Sequence, residues 1–84
     1  MTRDEVIHKI HHIFVDGFEV ENDLLAAEAR LGDDLGLDSL DAVDLVVALE
    51  TEFGCRIPEE TARSMETLQH IYDYVDEYMA QNRN

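Results

Sequence analysis

Ser39 stands in the run Asp34-Leu35-Gly36-Leu37-Asp38-Ser39-Leu40-Asp41, a lone hydroxyl among acids and apolar residues where a helical pattern begins. A serine so placed could attack a substrate, accept a covalent group or cap the helix. Attack needs a base within hydrogen-bond reach. The histidines at 8, 11, 12 and 70 all belong to other segments, and the run lacks the Gly-x-Ser-x-Gly elbow of hydrolases. Accepting a group asks for less. A helix start offers unpaired backbone N–H groups and the positive end of the dipole, both suited to an anionic substituent. Capping is the plainest role, open to Asp38 as much as to Ser39.

Three other groups could bear chemistry, each weakly. His8 and His12 lie one helical turn apart, but a metal site needs further ligands. Asp33, Asp34, Asp38 and Asp41 are a cluster of acids without the glycine and terminal glutamate of a calcium loop. Cys55 is the only cysteine, which excludes an internal disulfide. It follows Gly54, where it is expected to be exposed, and only Arg56 beside it is basic. No metal site is expected.

The elements that must position these residues are helical. Val6, Ile10, Ile13 and Phe14 recur at three- and four-residue steps, which predicts a first helix over about Arg3 to Val15. Thr2 with Glu5 fits a capping box. Residues 16–37 hold no sustained period and read as a long connection with one short helical turn, pinned by Leu25 and Leu31. A second helix runs from Ser39 to Phe53 and stops at Gly54. Ile57-Pro58 opens a short acidic helix near Glu59 to Arg63. A last helix runs from Thr67 to about Ala80, with Leu68, Ile71, Tyr72, Val75 and Met79 on one face. The expected fold is all-α: one domain spanning residues 1–84, a small bundle of three longer helices plus a short one.

The second helix carries two apolar faces. At about 100° per residue, Ala42, Leu45, Val46, Leu49 and Phe53 form the core side. Leu40, Val43 and Val47 form another stripe roughly 140° away, bordered by Asp41, Asp44 and Glu50. The long connection could fold over that stripe. Left open, it is a small apolar patch with an acidic rim, suited to brief contacts with basic-lipped partners.

Size and charge narrow the function classes. The chain has 84 residues and a formal charge of −14. Ligand pockets of several hundred Å³ are hard to enclose in so small a domain, so carrying or binding fits better than elaborate catalysis. The acidic surface repels nucleic acid and anionic membranes. No apolar run approaches the ~18 residues of a membrane span, and a cytoplasmic monomer is expected.

Taken together, the Asp34 to Asp41 run, the following Val43, Leu45, Ala48-Leu49-Glu50 and Glu52-Phe53, and then Ile57-Pro58-Glu59-Glu60, Thr67-Leu68 and Tyr72-Asp73-Tyr74-Val75 resemble the acyl carrier proteins. The resemblance implies a covalent 4′-phosphopantetheine arm on Ser39, donated by coenzyme A through a phosphopantetheinyl transferase that uses Mg²⁺. It implies acyl groups held on that arm as thioesters, and presentation to acyl-transferring and chain-elongating enzymes of fatty-acid, lipid or polyketide-type synthesis. It gives Asp38 and Asp41 to transferase recognition and Leu40, Val43, Asp44, Val47 and Glu50 to partner enzymes, with no catalytic residue in the chain. Thr51, Arg56 and Tyr72 depart from the family pattern, Tyr72 by placing a phenol where a smaller residue usually lines the acyl cavity. The departures suggest a specialised carrier. The competing reading is an unmodified acidic interaction domain.

Overall fold

The Thr2 side chain accepts from the Glu5 N–H at 3.2 Å while the Glu5 carboxylate accepts from the Thr2 N–H at 2.9 Å, the reciprocal box expected from the sequence. It opens α1 (Arg3–His12) in a computed structural model that describes residues 1–81. Val6, Ile10 and Phe14 are each fully buried. The helical path extends past the expected end at Val15, because a π turn over Ile13–Gly17 widens the last loop of α1. Phe14 keeps its core position through that turn and Phe18 packs on it, ring centroids 6.1 Å apart.

Residues 18–38 form the long connection. It contains a 3-10 turn at Asn22–Leu24 and lays Val20, Leu25, Ala29 and Leu35 into the core. Its anchorage to the last helix is main-chain. Leu31 N–H donates to the Glu66 carbonyl at 2.9 Å, around an isolated antiparallel bridge between Arg30 and Thr67. Leu68 and Gln69 N–H donate to the Ala29 and Ala27 carbonyls at 3.1 and 2.8 Å. A helix start leaves such N–H groups unpaired, so the connection supplies the acceptors that α4 lacks.

Next come α2 (Ser39–Phe53), α3 (Glu59–Ser64) and α4 (Leu68–Gln81). Gly54 ends α2 in the left-handed region, φ 65°, the conformation a helix-stopping glycine adopts. Helix α1 packs along α4, where Arg3 reaches Asp73 at 2.9 Å and Asp76 at 3.2 Å. Those exposed pairs contribute little beside the apolar seam beneath them. The result is the expected all-α bundle of three longer helices and one short, and among the described residues no strand forms.

Two expectations are corrected here. Cys55 is buried at 3% exposure, its Sγ 3.7 Å from the Leu49 carbonyl, and burial raises its thiol pKa. Tyr72 is buried too, but it turns toward α1, where its hydroxyl pairs with His11 Nε2. It therefore adds no phenol to the cleft beside Ser39. An apolar residue in its place would leave the half-buried His11 without this partner.

Candidate functional site

The start of α2 is built by Asp38 and Asp41. Asp38 Oδ1 accepts from the Asp41 N–H at 2.9 Å, and Asp41 Oδ2 accepts from the Asp38 N–H at 3.2 Å. Asp38 is thus the cap. Ser39 is the first helical residue, exposed, with no hydrogen bond to its hydroxyl among the described residues. The tight approach uses Gly36, whose φ of 72° strains any residue with a Cβ; the space there is open.

Beside Ser39 lies an apolar cleft of about 490 Å³ between α2 and α3, with Ala42, Val46, Leu49, Ile57, Ala62 and Met65 among its lining residues. Ala42, expected in the core, is exposed and serves this wall instead. The ion pair of Arg63 with Glu59 sits at its α3 side. Sequence reasoning missed the cleft, since spacing along each helix does not tell how far α2 and α3 stand apart.

The second stripe of α2 stays open. Leu40, Val43 and Val47 are 77%, 61% and 55% exposed, and the long connection covers other parts of the bundle. Asp44 is exposed beside them. Glu50 differs, being half-buried, with Oε2 accepting the Ile57 N–H at 2.8 Å. The site thus brings together Asp38, Ser39, Leu40, Asp41, Val43, Asp44 and Val47 at the exposed face and mouth of α2, and ties Glu50 to the following turn. A second, acidic hollow lies nearby between Asp16, Glu19, Asp41 and Asp44. No group of three or more potential metal ligands converges among the described residues.

This exposed serine at a capped helix start, flanked by an apolar cleft, lies within residues 8–75, which match the family described as "Phosphopantetheine attachment site". The acyl carrier protein of Thermosynechococcus vestitus is 38% identical over 80 residues, covering 95% of this chain and 99% of the relative. The chain belongs to the acyl carrier protein family. Acyl carrier proteins of Chlorobium phaeobacteroides and Chlorobium phaeovibrioides are 40% and 41% identical over 75 residues, each covering 89% of this chain and 96% of the relative. Membership implies a covalently attached 4′-phosphopantetheine, a carrying rather than catalytic role, and dealings with synthase and transferase enzymes. The site suits such a group: it offers an unbonded hydroxyl, open space at Gly36 and an apolar cleft alongside. No helix among the described residues is long and apolar enough to cross a membrane.

Proposed function

We propose that Ser39 is the attachment residue, and that the chain is a single-domain carrier presenting acyl groups to enzymes of fatty-acid, lipid or polyketide-type synthesis. The observation that carries this reading is the unbonded, exposed Ser39 hydroxyl on the first residue of α2, at the lip of an apolar cleft. With no base hydrogen-bonded to that oxygen among the described residues, Ser39 is a poor self-activated nucleophile. A phosphopantetheinyl transferase supplies the base and Mg²⁺: the serine oxygen bonds to the phosphorus next to the pantetheine, and the nucleotide half of coenzyme A leaves. The arm supplies a thiol that holds the acyl group as a thioester.

The chain's own residues do the rest. Asp38 and Asp41 fix the first turn, whose remaining N–H groups and dipole favour the phosphodiester. Leu40, Val43 and Val47 offer apolar contact, and the exposed Asp44 draws basic docking surfaces. The cleft of Val46, Leu49, Ala62 and Met65 can shelter the apolar part of the cargo.

Loading the protein from an acyl-coenzyme A and treating it with neutral hydroxylamine tests the cargo linkage. Loss of the acyl mass, with the arm retained, is expected. An acyl mass that survives hydroxylamine contradicts a thioester.

A further inference from the structure

The turn joining α2 to α3 is hung on side chains. Residues 55–57 make no main-chain to main-chain hydrogen bond among the described residues. Three side-chain bonds hold them: Cys55 Sγ to the Leu49 carbonyl, the Tyr74 hydroxyl to the Arg56 carbonyl, and Ile57 N–H to Glu50 Oε2 at 2.8 Å. Pro58 follows, which brings no N–H and biases Ile57 toward extended backbone. Among the described residues, Glu50 is therefore the sole acceptor for the N–H of a residue that is 5% exposed and forms part of the cleft wall.

Glu50 lies on α2 three residues after Val47 and seven after Val43, at the edge of the open stripe. Its acidity invites a docking role, yet its oxygen is committed inward. We infer that Glu50 is a positioning residue for the cleft: its carboxylate oxygen sets the Ile57 main chain, and through Ile57 the wall facing the cargo. What matters at residue 50 is then an acceptor oxygen, with the negative charge secondary. That the cleft takes cargo rests on the carrier reading. The tie between Glu50 and Ile57 does not.

The test uses the unmodified full chain, so it is independent of whether Ser39 can be loaded. Amide hydrogen exchange at Ile57 and uptake of Nile red, an uncharged apolar dye, are measured in wild type, Glu50→Ala and Glu50→Gln. Glu50→Ala is expected to speed Ile57 exchange about tenfold, the effect of losing a hydrogen bond of ordinary net worth, and to reduce dye uptake. Glu50→Gln keeps an oxygen and is expected to restore both. Unchanged exchange and uptake in Glu50→Ala would overturn the inference, as would a Gln variant that behaves like Ala. If Glu50→Ala does not fold, Glu50→Gln still decides. In wild type the Ile57 amide shift should follow the titration of the Glu50 carboxyl carbon, and in Glu50→Gln that movement should vanish. Persistence of the movement would overturn the assignment.

Discussion

His11 and Tyr72 show what one half-buried hydrogen bond does in a very acidic protein. With a formal charge of −14, protonated histidine would be welcome almost anywhere on the surface. Burial nonetheless lowers the His11 pKa from its ordinary value, and the neighbouring His8 adds to the effect. The folded state therefore prefers the neutral ring that pairs with the Tyr72 hydroxyl. As pH falls through about 6.5, the unfolded chain takes up this proton before the folded one, and stability is lost. Wild type should exceed His11→Gln in thermal midpoint at about pH 7.5, and the gap should narrow toward about pH 5.5. A gap that stays constant across that range contradicts the assignment. The sequence put His11 within the first helix but carried no sign of Tyr72 as its partner, because the two positions are 61 residues apart. Asp38 was legible only as one of two candidate caps. The reciprocal bond from Asp41 decided it, giving both carboxylates structural work at the serine.

Helix α2 organises the site, and its two faces were legible from spacing alone. What spacing could not say was whether the long connection would cover Leu40, Val43 and Val47. The connection is instead drawn to α4, through main-chain bonds such as Gln69 N–H to the Ala27 carbonyl. Backbone bonds of that kind leave no signature in residue type, and the same holds for the π turn that extends α1. The open stripe leads to a separable prediction. Replacing Val43 and Val47 by Ser should leave stability within about 0.5 kcal/mol per site, since exposed positions contribute little. It should slow transfer of the arm by the transferase. Asp44→Lys should do the same, through encounter with basic partners. Unchanged loading rates in all three variants would remove this helix face from recognition, and a large loss of stability would show that the stripe serves the fold.

At the scale of the molecule, an apolar core without a buried polar or charged residue among the described ones is surrounded by like charge. A chain of this length has roughly 4–13 kcal/mol of stability, so repulsion on its surface is a sizeable fraction. The molecule measures 36 × 26 × 20 Å. At about 0.01 M salt the screening length is about 30 Å, so acids across the whole surface repel one another. At about 0.15 M it is about 8 Å, and only neighbours do. The thermal midpoint of the unmodified protein should therefore climb as salt rises between those limits. A flat midpoint would show that the ion pairs of Arg3, Lys9 and Arg63 already balance their surroundings. The same field would speed encounter with any basic partner, so it costs stability while favouring such contacts.

The attachment of the arm to Ser39 is the claim on which the account turns. Intact-protein mass spectrometry, before and after incubation with coenzyme A and a broad-specificity phosphopantetheinyl transferase, tests it with Ser39→Ala run alongside. A gain of one phosphopantetheine is expected in wild type and none in the variant. A gain in Ser39→Ala, or no gain in a folded and initially unmodified wild type, would contradict it.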